Sequence, residues 1–121
     1  MTRPEIETVR RHLAGLEAVL AKSNGGWADE EALLEFRRLC WAALLVVRDP
    51  ECQQQIDFLI QFAKDLYSDR AHHRWDIGPV FGADILRRKI RSSLRACRER
   101  MNVLEGARYG KRWRDLRAAA A

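Results

Sequence analysis

Apolar residues return every three or four positions along most of this chain, and that rhythm leaves little choice of fold. Side chains three or four apart share one face of an α-helix, whereas a half-buried strand alternates with a period of two. Ile6, Val9, Leu13, Leu16 and Leu20 form one such stripe, and Cys52, Ile56, Leu59, Ala63 and Leu66 form another, widened by Ile60, Phe62 and Tyr67. Leu86, Ile90, Leu94, Cys97, Met101 and Leu104 form a third. Between the first two lies Leu39–Val47, apolar almost throughout. A run of this kind predicts a helix buried on all sides at the centre of a bundle. Val46 and Val47 would also suit a strand, but no second strand-like run exists to pair with it.

The breakers fall between the stripes. Thr2-x-x-Glu5 matches a capping box, in which hydroxyl and carboxylate satisfy free backbone N–H groups at a helix start. Ser23-Asn24-Gly25-Gly26 suits a helix C-cap. Asp29 can open the second helix, with Glu30 and Glu31 at the positive end of its dipole. Asp49-Pro50 reads as a stop and restart, Pro50 fitting a first turn where no N–H is required. The fourth helix is expected from about Ala83 to Leu104, after which it either continues or restarts near Gly110 as a short fifth helix. The fold class predicted is therefore all-α: an antiparallel four-helix bundle, with a short fifth C-terminal helix as its variant. One domain spanning 1–121 accommodates it, with the Ala-rich last residues frayed.

Composition excludes several classes. The most apolar run is far shorter than the roughly 20 residues a membrane span requires, so no membrane role is expected. The N-terminal residues lack the apolar segment of a secretory signal. Three cysteines, Cys40, Cys52 and Cys97, have no CxxC spacing and suit reduced thiols packed as small hydrophobes, hence a cytoplasmic setting. Cys52 falls in the first turn of the third helix, where the dipole favours thiolate, and is the cysteine to test for reactivity.

The charge is lopsided. Through Asp69, 8 Lys and Arg face 12 Asp and Glu; from Arg70 onward the balance is 14 to 5, and the whole chain carries +5. The clearest feature of the basic half is Arg87, Arg91, Arg95 and Arg98, spaced i+4, i+4 and i+3 along the fourth helix beside its apolar stripe. Like charges at this spacing repel, so an anionic surface should lie beside them. It can belong to the acidic half of the chain itself, with Glu5, Glu17, Glu30, Glu31, Glu35, Asp57 and Asp65 available, or to a partner. Further on, Tyr109, Arg112 and Trp113 interleave aromatic and basic residues, a pattern that suits a packed face, a partner surface or a nucleic-acid strand.

No catalytic constellation is legible. There is no Gly-rich phosphate loop, no nucleophile elbow and no zinc-finger spacing. Nor does a Glu precede any of the three histidines by three residues, as a bundle di-iron site demands. The stretch from Ser68 to Gly82 is long for a helix–helix connection and holds His72, His73 and Trp75, candidates for a ligand site or for plain end-covering of the core.

The sequence thus predicts a non-enzymatic helical interaction or regulatory module without cofactor or metal. It would bind a protein partner with an acidic surface through Arg87, Arg91, Arg95, Arg98, Tyr109, Arg112 and Trp113, with homodimerisation open. The alternative is a nucleic-acid binder using the same face. A second alternative is a small-molecule or metal-binding bundle using the 68–82 loop.

Overall fold

A computed structural model of the protein describes residues 1–23, 29–68 and 79–120, with the side chains of its last helix described from 82 to 106. Four α-helices follow one another: α1 (Arg3–Lys22), α2 (Glu30–Val46), α3 (Pro50–Leu66) and α4 (Pro79–Ala120). No strand occurs among the described residues.

The starts of the first three helices are set by their caps. Thr2 and Glu5 form the reciprocal capping box: Thr2 N–H donates to Glu5 Oε1 at 2.8 Å, and Glu5 N–H to Thr2 Oγ1. Asp29 caps α2 by accepting from Ala32 N–H, and Asp49 caps α3 by accepting from Cys52 N–H, each at 3.0 Å. Pro50 occupies the first turn of α3, where its missing donor costs nothing. The link between α2 and α3 is closed by Gln53, whose side-chain amide donates to the Val47 carbonyl at 3.0 Å.

Cross-helix contacts give the direction of every neighbour. Arg10 reaches Glu105, Arg98 reaches Glu17 and Arg87 reaches Leu20, so α1 and α4 run antiparallel. Asp49 meets Arg100 while Phe62 meets Lys89, so α3 and α4 do as well. Phe36 lies against Tyr67 and Val47 against Gln53, so α2 is antiparallel to α3; Gly15 meets Leu39 while Lys22 and Ser23 at the end of α1 share a groove with Asp29 and Ala32 at the start of α2, so α2 is antiparallel to α1 as well. Among the described residues α1 and α3 touch both α2 and α4, leaving α1–α3 and α2–α4 as diagonals. This is the expected up-down-up-down bundle.

Its core collects the expected stripes. All five residues of the α1 stripe are buried, as are Cys52, Ile56, Leu59, Ala63, Leu66 and Tyr67 of α3. α4 contributes Leu86, Ile90, Leu94, Cys97 and Met101, with Leu104 partly buried. Together with Phe36, Leu39, Cys40, Ala43 and Val47 of α2 they form one continuous apolar cluster.

Two expectations need correction. α2 is not buried on all sides: Trp41 is 55% exposed, Leu45 88% and Leu34 66%. In a ring of four helices each has two neighbours and one outward face, so there is no central helix, and an all-round apolar run must show part of itself to water. α4 also exceeds its expected limits at both ends and runs to Ala120 without a break, so its continuation, not a separate fifth helix, is what forms. Pro79 stands at its first position, as proline can, and isolated glycines such as Gly82 and Gly106 cost a helix only about 1 kcal/mol each.

Candidate functional site

The basic residues of α4 divide into those the fold uses and those it leaves in water. Arg87 belongs to the first group. Its Nη1 donates to the Leu20 carbonyl at 3.1 Å and its Nη2 to the Ser23 carbonyl. These are carbonyls at the end of α1 that no helical N–H can reach, at the negative end of the helix dipole. Arg98 makes a two-pronged contact with Glu17, Nε to Oε1 and Nη2 to Oε2, both at 2.9 Å. Arg100 grips Asp49 in the same way at 2.8 Å, with Glu51 3.5 Å from its Nε. In the opposite sense Arg10 of α1 donates to Glu105 and to Asn102 of α4, the latter at 2.8 Å. The acidic half of the chain therefore supplies part of the anionic surface that the arginine stripe requires.

Arg91 and Arg95 belong to the second group. Both are exposed, and among the described residues neither has a hydrogen bond or ion pair. They rim a groove between α1 and α4 of about 380 Å³. Leu20, Ala21 and Leu94 line it as well, and Glu17, locked by Arg98, stands beside them. The groove thus offers two uncommitted guanidinium groups over an apolar lining, with one neutralised ion pair at its edge. Each guanidinium can hold a carboxylate through two parallel N–H···O bonds.

A second groove, about 580 Å³, lies between α1 and α2, where Gly15 and Ala18 keep the helix surface low. Ser23 and Asp29, the residues on either side of 24–28, bound it. At this end a polar knot joins the helices: Ser23 Oγ and Tyr67 Oη share a 2.6 Å hydrogen bond, and Asp29 N–H donates to the Tyr67 carbonyl at 3.2 Å. Burial pushes the Tyr67 hydroxyl above its ordinary pKa, so it stays protonated.

Two outward features escaped the sequence reading. Leu34, Trp41 and Leu45 form an exposed stripe on the far side of α2, with Arg37 and Arg48 also exposed on that helix and its end. Their i+7 and i+4 spacing, opposite the Phe36–Cys40–Ala43–Val47 stripe, was the available signal. On α3, Phe58 stacks on Phe62 with ring centroids 6.1 Å apart, and Lys89 Nζ sits 5.6 Å from the Phe62 centroid.

The other expected positions fall differently. His72, His73 and Trp75 lie outside the described residues, as do the side chains of Tyr109, Arg112 and Trp113, whose backbone belongs to α4. Among the described residues no group of three or more His, Cys, Asp or Glu is placed to hold a metal ion, and no helix is long and apolar enough to cross a membrane. All three cysteines are free and buried. Compared with known protein families, with curated proteins and with solved structures, the chain matches none.

Proposed function

We propose that this chain is a non-enzymatic interaction module whose partner is a protein with an acidic, partly apolar segment, received in the groove between α1 and α4. The observation that carries this reading is the division among the arginines. Arg87 and Arg98 are engaged inside the fold, while Arg91 and Arg95 stand exposed over an apolar-lined groove with no counter-charge of their own among the described residues. A partner helix or extended segment would place carboxylates against the two guanidinium groups and small apolar side chains against Leu20, Ala21 and Leu94.

A nucleic-acid partner fits the same rim less well. The groove lining contains no aromatic side chain on which a base can stack. The two readings differ in salt dependence, because phosphates release condensed counterions when neutralised. Binding of a labelled acidic helical peptide, a generic duplex and a single strand, followed by fluorescence anisotropy at low and near-physiological salt, separates them. Peptide binding that survives physiological salt and is lost in Arg91→Glu/Arg95→Glu supports the proposal. Retention of peptide binding in that double variant would place the contact elsewhere. Duplex or single-strand binding that falls steeply with salt would transfer the same residues to nucleic acid.

A further inference from the structure

The ring of four helices leaves the outer face of α2 with apolar residues it does not bury. Leu34, Trp41 and Leu45 are exposed there, opposite the buried Phe36, Cys40 and Ala43. Steps of seven and four residues put all three on one face of the helix. A single exposed apolar residue is ordinary, but three large ones aligned are the mark of an interaction surface. The charges around them decide what can cover it. The first turn of α2 is acidic, with Glu30 and Glu31 exposed. Basic residues follow, Arg37 in mid-helix and Arg48 two residues past the last turn, both exposed. Among the described residues none of these four is held in an ion pair. Arg38 differs, since Glu35 of the same helix binds its guanidinium at 3.0 and 2.6 Å. A face that is acidic at one end, basic at the other and apolar between is complementary to itself turned end for end.

We propose that the outer face of α2 pairs with the same face of a second copy of this chain, antiparallel and about a two-fold axis near Leu39. The spacing along the helix fits that axis. Arg37 and Trp41 stand two residues either side of Leu39, Leu34 and Leu45 stand five and six, and Glu30 and Arg48 stand nine. Reversing the helix about this point sets Leu34 against the partner's Leu45 and Trp41 against the partner's Arg37. It also sets the acidic first turn against the partner's Arg48. Every contact then occurs twice, as a two-fold interface requires. The leucines cover one another, and the flat guanidinium of Arg37 lies on the face of the indole. The end charges choose the direction, because a parallel pair would put acid beside acid and base beside base.

One helix face is small beside the roughly 800 Å² per partner of a standard interface. The pair therefore forms as concentration rises and is apart in dilute solution. α2 lies diagonal to α4, so pairing through its outer face leaves the groove between α1 and α4 open. The dimer carries two such grooves, and its formation does not depend on what they bind. A segment with two acidic motifs would then be held by both grooves at once, with a gain from the linkage and not from any new contact.

Sedimentation equilibrium of the natural chain, from micromolar to millimolar concentration, tests the pairing. The mass is expected to rise from 14.0 kDa toward twice that value. Leu45→Glu changes a residue that stands in water in the single chain, so it should keep its helicity and stay at 14.0 kDa throughout. Arg48→Glu should weaken association about tenfold, and adding Glu30→Arg and Glu31→Arg should restore it, because the end pairs are then re-formed with their signs exchanged. The register is read by mixing Leu34→Cys and Leu45→Cys chains with a short bis-maleimide, the three natural thiols being buried. Linking is expected between the two variants and not within Leu34→Cys alone, whose two copies would lie about 16 Å apart along the helix axis. A natural chain that stays at 14.0 kDa at millimolar concentration overturns the proposal. So does a dimer that Leu45→Glu leaves intact, or one in which Leu34→Cys links to its own copy.

Discussion

Asp49 shows how much one carboxylate can hold in this protein. It closes the first turn of α3 by accepting from Cys52 N–H, and it receives both prongs of Arg100 from α4. Its pKa lies below the usual carboxylate value, first because of the Arg100 hydrogen bonds and then because of the Cys52 N–H, against an opposing push from burial. Replacing it with alanine should cost about 1–2 kcal/mol through the cap alone, read as a lower midpoint in urea. The pH dependence has a fixed sign. A carboxyl whose folded pKa is depressed contributes its full stability above the unfolded value of about 3.9, and that contribution fades as pH falls through the lower folded value. An acid titration of Asp49→Asn followed by circular dichroism should therefore be flatter below pH about 4 than that of the natural chain. The capping role of Asp49, like those of Thr2 and Asp29, was legible in the sequence because a cap is a local pattern. Its partner on α4 was not, since Arg100 is 51 positions away and nothing local selects it over Arg95 or Arg98.

The stripes of α1, α3 and α4 were legible for the same reason: a helix with three- and four-residue apolar spacing has one face to bury. α2 misled because its apolar residues surround the helix, and periodicity is silent where there is no polar face. The ring of four helices decides that question, burying Phe36, Cys40 and Ala43 and leaving Leu34, Trp41 and Leu45 outside. Their contributions to stability should separate accordingly. Leu45→Ala should shift the unfolding free energy by no more than about 0.5 kcal/mol, whereas Leu16→Ala, in the packed α1 stripe, should cost about 2–5 kcal/mol. Equal effects on thermal unfolding would mean that Leu45 is covered in solution. At Gly15 of α1 a Cβ would come within 3.1 Å of Leu39 Cδ1 of α2. The larger, branched Gly15→Val should force the two helices apart at a cost of about 1–3 kcal/mol, visible as a lowered Tm.

Charge organises the molecule as a whole. The acidic first half and basic second half meet along α1–α4 and α3–α4, through Glu17–Arg98 and Asp49–Arg100. The sequence showed that imbalance and the arginine stripe, but could not divide the stripe into engaged and uncommitted members. That division depends on which carboxylates and carbonyls the antiparallel register brings opposite each arginine. Charge reversal should expose it. Arg98→Glu sets two carboxylates side by side and should lower stability by about 1 kcal/mol, less at high salt. Arg91→Glu/Arg95→Glu should leave the melting curve within about 0.5 kcal/mol of the natural one, so any loss of binding in that variant is a loss of contact rather than of fold.

The pairing of α1 with α4 also bears on how the chain is made. Synthesis delivers α1 first and α4 last, and domains generally fold as units. Until the segment around Leu86–Met101 has been synthesised, a nascent chain of three helices carries the α4-facing flanks of α1 and α3 bare, with the carbonyls of Leu20 and Ser23 still awaiting Arg87. The final third of the chain therefore closes the bundle rather than extending it. Truncation ahead of that segment should yield a sticky, protease-sensitive intermediate instead of a smaller stable protein.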